Sequence, residues 1–503
     1  MVSASLFPAG LLILAAVLVV YARTRKELPL PPGPPSLPVV GNIVRVPAEK
    51  AWETLAQWTN QYGDLVFLHG FGQNILSVNS LPAAKALLDK KSSIYSDRPQ
   101  YPILSLSGLS ELPIVMGYSA SFRYRRKLIH QAVGSAATVH QYYPHMEAEV
   151  KSFMRRLLDA PDELREHINY VASGIILRST YGHTVTARGD SFLQAITAIM
   201  EELTVVMVPT SFLVNLLPIL RHVPSWAPGA AFKRLAQRHK ERVMAFLDMS
   251  YAEVREQVAA STAQASFAAK LTSNNEDETV TKFTSFMLYG GAVCTMLAFF
   301  KAMTLFPEAQ ARAQAEIDAV VGTDRFPTFE DRAQMIYMNA LVLEVYRWHV
   351  ALPSGFPHRL MEDDTYDGFF IQAGTVVMPN TLKISKDPQL YKDPHLFEPR
   401  RFIADGGFSA QAPEPDPREY IFGHGRRRCA GQAFAEASKY LEIVTTLAFF
   451  TISKAVDENG DMDEPTLEYM PGLISMPSPF RCCIKHRSKR AEALIRGGSE
   501  ISE

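Results

Sequence analysis

The ten residues 422–431, reading Phe-Gly-His-Gly-Arg-Arg-Arg-Cys-Ala-Gly, constrain this chain more than any other stretch. They hold Cys429, one of four cysteines, in a loop rich in glycine and arginine. Behind the loop, Ala433, Phe434, Ala437, Tyr440, Leu441, Val444, Leu447 and Ala448 recur at helical spacing. Cys429 therefore sits at or just before a helix start, where unpaired N–H groups and the positive end of the helix dipole favour a thiolate. The adjoining arginines add positive potential. Gly423, Gly425 and Gly431 let the backbone turn tightly and approach something flat and bulky. A thiolate so placed suits an axial iron ligand or a nucleophile. A buried, inert cysteine is the bland alternative, and it leaves the glycines and arginines unexplained.

The stretch resembles the haem-binding loop of the cytochrome P450 family, the haem-thiolate monooxygenases. The family pattern FxxGxRxCxG is met by Phe422, Gly425, Arg427, Cys429 and Gly431. The resemblance implies a mainly α fold with small β-sheets, forming a single large domain after an N-terminal transmembrane helix. It also implies haem b as cofactor, Cys429 as the axial iron ligand, and O2-dependent insertion of one oxygen atom into a lipophilic substrate. It extends from the amino terminus to about Arg487 and looks closest to fungal members of specialised metabolism.

Composition bounds the rest. A length of 503 residues suggests roughly three domains by length alone. The middle of the chain, however, carries no low-complexity linker, and a 47% hydrophobic content suffices for one large core. The formal net charge of −1 gives no footprint for nucleic acid. Cys294, Cys429, Cys482 and Cys483 form no disulfide framework, which fits a reducing compartment. Residues 6–22 are an uncharged apolar run, about 25 Å long as a helix. Arg23, Arg25 and Lys26 follow at once and assign that side to the cytoplasm. An uncleaved anchor in the endoplasmic reticulum membrane is expected, a cleaved signal peptide being the alternative. The prolines of residues 29–35 read as a stiff spacer. The chain thus divides into an anchor (1–26), a proline-rich hinge (27–42), a haem-thiolate domain (43–490) and a polar tail (491–503).

Within the domain, alternating apolar runs at 65–68 and 74–78 flank Gly70-Phe71-Gly72 and read as a hairpin. Long helical periodicities dominate from there to about Val321. Glu344 and Arg347, spaced i, i+3 in an apolar helix, share one face and need partners. They match the family's ExxR motif, whose third member, by resemblance, is Arg401 in Phe-Glu-Pro-Arg-Arg-Phe. The resemblance also assigns Arg98, Arg126, His358 and Arg427 to the haem propionates. In the family's Trp-x-x-x-Arg pattern Phe122 replaces the tryptophan and loses its N–H donor. Residues 195–232 combine apolar runs with prolines and are either core or the lid of an apolar pocket. By resemblance this region covers the substrate channel, and the loops 350–356 and 473–476 line the pocket.

One stretch departs from the family. The helix expected over 279–305 should carry a small-Gly-x-acid-Thr-Thr segment, yet no acidic residue lies between Thr284 and Glu308, and the segment looks about four residues short. Counted from the amino-terminal side, Cys294 takes the acid position and Thr295 the catalytic threonine position. Counted from the other side, Gly290, Gly291 and Ala292 fall there. No strand–GxGxxG–helix unit is evident, so electrons must come from a separate partner, by resemblance an NADPH-cytochrome reductase in the same membrane. The rival expectation is a haem-thiolate protein with impaired or no oxygen activation, an isomerase-like or inactive relative. Terpenoid, steroid-like or polyketide skeletons are the substrates that the apolar pocket loops and family habit suggest.

Overall fold

The computed structural model describes residues 28–38, 40–47, 49–185, 189–208, 211–288, 292–404, 413–456 and 460–497. It is mainly helical with small sheets, as expected. Helix α1 (Ala51–Tyr62) leads into strands β1 (Leu65–Gly70) and β2 (Gln73–Val78). The two residues between them, Phe71 and Gly72, have φ of 51° and 74°. Left-handed backbone at both positions is what a tight hairpin needs to match the strands' twist. Two later strands, β3 (His358–Arg359) and β4 (Val376–Pro379), complete a sheet ordered β1-β2-β4-β3. Pairing of His358 with Val377 fixes the imidazole's place on this sheet.

The prolines of residues 29–35 lie against the sheet. Phe67 N donates to the Pro32 carbonyl at 2.8 Å, and Asn42 Nδ2 donates to Pro34 at 2.9 Å. A Cβ on Gly33 would stand 2.0 Å from the Phe67 carbonyl oxygen, so only glycine allows this approach. The expected anchor, residues 6–22, lies outside the described residues. Among the described residues no helix is long and apolar enough to cross a membrane.

The helices that matter for the site are α2 (Ala120–Val133), α3 (Tyr143–Asp159), α4 (Ser191–Val206), α5 (Ala231–Ala259), α6 (Glu278–Phe286), α7 (Ala292–Leu305), α8 (Ile336–Trp348) and α9 (Gln432–Phe449). α7 is mostly apolar, with Cys294, Met296, Phe299, Phe300, Ala302 and Met303 all buried and Lys301 and Thr304 buried beside them, so it runs through the core. α8 and α9 pack against it. A second apolar cluster joins α4, α5 and α6 to Ile103, Leu112 and Val115.

The single helix expected over 279–305 is instead two. Asp277 caps α6, its carboxylate accepting from Val280 N at 2.9 Å. The far end tightens, with Leu288 N donating to the Ser285 carbonyl, three residues back, at 3.1 Å. α7 begins at Ala292. Gly290 and Gly291, the weakest helix formers after proline, fall between the two helices and outside the described residues. At the carboxyl end, Ser488 caps a helix over Lys489–Arg496 that buries Ala491 and Ile495, so the expected polar tail begins inside structure.

Candidate active site

The cysteine loop hangs between a short helix, Arg418–Ile421, and α9. Cys429 N donates to the Phe422 carbonyl at 2.7 Å and closes the loop on itself. The Phe422 ring meets Tyr346 of α8 edge-on, with centroids 5.5 Å apart. Gly425 has φ of 51° and donates its N–H to Asp89 Oδ1 at 2.6 Å. A Cβ there would lie 2.3 Å from the Leu88 carbonyl oxygen. His424 Nδ1 sits 3.2 Å from the other Asp89 oxygen. Asp89 thus fastens the loop from 335 residues away, a role no local sequence signal announces. Gly425→Ala should destabilise the protein by roughly 2–3 kcal/mol, through strained φ and a backbone clash. Thermal unfolding together with the haem-to-protein ratio checks this; an unchanged melting temperature would contradict it.

The expected thiolate bias at Cys429 is not what the free side chain shows. Burial pushes its thiol pKa up, opposed by a hydrogen bond from Gly431 N–H and by the charges of Arg126 and Arg428. Desolvation outweighs the helix-terminus effect because neighbouring protein atoms crowd the thiol. Cys429 nonetheless keeps accessible surface. A thiol that is crowded yet reachable is open to a metal ion. A metal ion deprotonates a thiol in such a place outright.

The four expected propionate residues converge. Arg427 stacks on Phe122, its guanidinium carbon 3.6 Å from the ring centre, so the residue replacing tryptophan supplies a flat face in place of an N–H. Arg427 donates from Nε to Ser96, from Nη1 to Pro113 and from Nη2 to Met116, all main-chain carbonyls, at 2.6, 3.3 and 2.7 Å. Arg98 donates from Nε to Ile114 at 3.1 Å and from Nη1 to Phe356 at 3.2 Å and to Pro357. Arg126 of α2 reaches the Arg428 carbonyl through Nη2. His358 Nδ1 lies 2.7 Å from the Tyr95 carbonyl. Among the described residues no carboxylate forms an ion pair with Arg98, Arg126 or Arg427.

Burial and then mutual repulsion set the titration of this cluster. Arg98 is pushed well down by desolvation and by Arg427 and Arg126. Arg427 falls to about 10 by desolvation, with Asp97 opposing and Arg126 reinforcing the fall. His358 is held neutral by burial and by Arg98. Two buried cations and a half-buried third, none of them in an ion pair with a carboxylate among the described residues, are the chemistry that accepts anionic groups, and a porphyrin with two carboxylates fits them.

Glu344, Arg347 and Arg401 form the expected network. Arg347 Nε and Nη2 each reach a Glu344 oxygen at 2.7 Å, a bidentate pair buried on both sides. The remaining Arg347 donors go to the carbonyls of Ser385, Pro394 and Leu396. Arg401 Nε lies 3.2 Å from Glu344 Oε1, and its Nη1 pairs with Glu414. Glu414 balances the second arginine, so two carboxylates meet two guanidinium groups. Sequence spacing gave no hint of Glu414. Beside the network, Lys386 Nζ donates to the Trp348 carbonyl at 2.9 Å. Burial, and then Arg347, push its pKa down to about 7.

On the opposite side, Thr295 is half-buried in the first turn of α7. Cys294 is not free to occupy an acid position. Its Sγ donates to the Ser475 carbonyl at 3.1 Å, and burial pushes the thiol up to about 12. It stays protonated and bound. Phe356 and Leu473, from the two expected pocket loops, join the cluster of Ile114, Val115, Met207, Phe283 and Phe286.

Comparison with known proteins adds a second line of observation. A family model described as Cytochrome P450 matches residues 31–484. Cytochrome P450 monooxygenase 208 of Postia placenta is 41% identical over 504 residues, covering 98% of this chain and 98% of that protein. Cytochrome P450 monooxygenase claR of Ampulloclitocybe clavipes is 38% identical, covering 93% of this chain and 88% of that protein. Cytochrome P450 monooxygenase ppsD of Aspergillus oryzae is 35% identical, with coverage of 93% and 90%.

Proposed function

This chain belongs to the cytochrome P450 family, and from that premise we propose that it is a monooxygenase inserting one oxygen atom from O2 into a lipophilic substrate. The family uses haem b, O2 and a redox partner. The observation that carries the reading is the pairing of a reachable Cys429 with three arginines, Arg98 and Arg427 buried and Arg126 half-buried, that form no ion pair with a carboxylate among the described residues. When bound, haem b supplies the iron at which oxygen is activated, and a thiolate ligand favours O–O cleavage.

The chain's own residues then have distinct tasks. Cys429 is the proposed iron ligand, with the Gly431 N–H on its sulfur tempering its donor strength. Arg98 and Arg126 keep N–H bonds beyond their carbonyl contacts and are the direct propionate donors. Arg427 donates three of its five N–H groups to main-chain carbonyls, so it is scaffold and fixed charge as well as a propionate donor. His358, with Nδ1 on a carbonyl, offers Nε2 to a propionate once that anion raises its pKa. Thr295 Oγ1 is the proposed hydroxyl for proton relay. Phe356, Leu473 and their neighbours exclude water and orient an apolar skeleton, of terpenoid or polyketide type. Electrons come from an NADPH-cytochrome reductase, and residues 6–22 anchor the protein in the endoplasmic reticulum membrane with its catalytic body in the cytoplasm.

A second reading is a haem-thiolate protein that activates oxygen poorly or not at all. It is favoured by one observation, the lack of any acid between Thr284 and Glu308 where the helix is split. A carbon monoxide difference spectrum of the reduced protein, followed by turnover of a lipophilic panel with reductase and NADPH, separates the two. A thiolate-type band with hydroxylated product supports the first. The same band with NADPH oxidised and no product supports the second, and absence of the band removes both.

A further inference from the structure

The Ser475 carbonyl, fully buried, receives two side-chain donors from different parts of the chain. One is Cys294 Sγ of α7 at 3.1 Å; the other is His349 Nε2, just past α8, at 2.9 Å. A carbonyl oxygen has two lone pairs, and both are engaged. The rest of Ser475 is fixed as firmly. Its N–H donates to Ala351 at 2.9 Å and its Oγ to the Met470 carbonyl at 2.7 Å.

The imidazole is itself held flat. It stacks on Tyr469 with centroids 4.2 Å apart and planes 7° from parallel, while Tyr469 Oη donates to the Trp348 carbonyl at 3.1 Å. Burial lowers the His349 pKa to about 3, so the ring is neutral, and Nε2 must carry the proton because a carbonyl can only accept. Two residues before Ser475, Leu473 packs into the apolar cluster of Phe283, Phe286 and Met207; one residue after it, Met476 packs into the cluster of α7 and α9. Ser475 is therefore the point at which the pocket-lining turn is bolted to the distal helix.

We propose that Cys294 and His349 are specificity-positioning residues that act through the Ser475 carbonyl, holding the turn 473–476 so that Leu473 shapes the space open to a bulky ligand above the haem. The proposal rests on the haem-monooxygenase reading and deepens it. Neither residue touches substrate; each sets where Leu473 stands. Both arms of the clamp come from elements that also frame the haem site, α7 on the distal side and α8 on the proximal side. Slack in either donor thus changes the pocket's shape without altering the iron's ligand.

The test uses full-length holoprotein and two iron-binding probes, imidazole and a triaryl-substituted imidazole, titrated by their Soret shifts. Cys294→Ala and His349→Phe each remove one donor, the second keeping the aromatic stack. Each should change the ratio of the two dissociation constants by about fivefold, the scale of one lost hydrogen bond. The imidazole constant and the thiolate-type carbon monoxide band should stay as in the wild type. Cys294→Ser and His349→Gln keep a donor and should stay within about twofold of the wild-type ratio. Leu473→Ala, which alters the pocket wall without touching the clamp, should change the same ratio. An unchanged ratio in Cys294→Ala and His349→Phe overturns the proposal, as does Cys294→Ser behaving like Cys294→Ala. A wild-type protein lacking the thiolate-type band overturns instead the haem reading on which the proposal stands.

Discussion

Cys429→Ser should leave a folded protein that has lost its thiolate-type carbon monoxide band and more than about 99% of any monooxygenase turnover. The fold should survive because the loop is closed by main-chain groups. Cys429 N on the Phe422 carbonyl, and Gly425 N on Asp89, do not depend on the sulfur. Among the described residues the sulfur takes the Gly431 N–H, which a hydroxyl can also accept. The chemistry should not survive, since a serine hydroxyl deprotonates far less readily than a thiol and gives the iron no soft, polarisable donor. Optical spectroscopy of the reduced protein and unfolding in denaturant report the two halves of the expectation separately. A serine variant with the thiolate-type band intact would remove Cys429 from the site altogether.

Glu344→Gln should be among the most damaging single substitutions in the chain, with a loss of roughly 3–5 kcal/mol and little soluble protein. The change is nearly isosteric, so packing is spared and the effect is electrostatic. Glu344 receives two hydrogen bonds from Arg347, one from Arg401 and one from Glu398 N, with the carboxylate and Arg347 both fully buried. An amide in its place cancels one negative charge and turns an N–H pair towards a guanidinium, leaving two buried cations to share Glu414. Glu344→Asp keeps the charge at a shorter reach and should lose less. Denaturant midpoints of the three proteins give the ranking, and a Gln variant within about 1 kcal/mol of wild type would show that the network is not holding the fold.

The readable parts of this site were those in which a few neighbouring residues carry their own geometry. The cysteine loop, the i, i+3 pair on α8 and the two-residue hairpin at Phe71-Gly72 all depend on local backbone and spacing. What spacing could not supply was the choice of distant partner. Arg427 is satisfied by carbonyls more than 300 positions away, and Cys294 by one 181 positions away. Nor did sequence register reveal that Cys294 is a structural donor rather than an acid, because the carbonyl it meets is set by tertiary packing. The rise of the Cys429 thiol pKa has a related cause. Helix dipoles and nearby arginines can be read from a sequence, whereas desolvation depends on everything packed around the group. The expected continuous helix is not formed: α6 ends at Phe286 and its last turn tightens at Leu288, ahead of Gly290 and Gly291, which lie outside the described residues.

The cluster of Arg98, Arg126 and Arg427 also bears on how the molecule is assembled. Before a dianion arrives, the polypeptide must hold two buried arginines beside a half-buried third, with Arg427 and Arg126 lowering the affinity of Arg98 for a proton and Arg126 that of Arg427. Capture of the cofactor is then a charge-neutralising step of folding, so newly made chains should become protease-resistant around residues 96–118 and 422–431 only as haem is supplied.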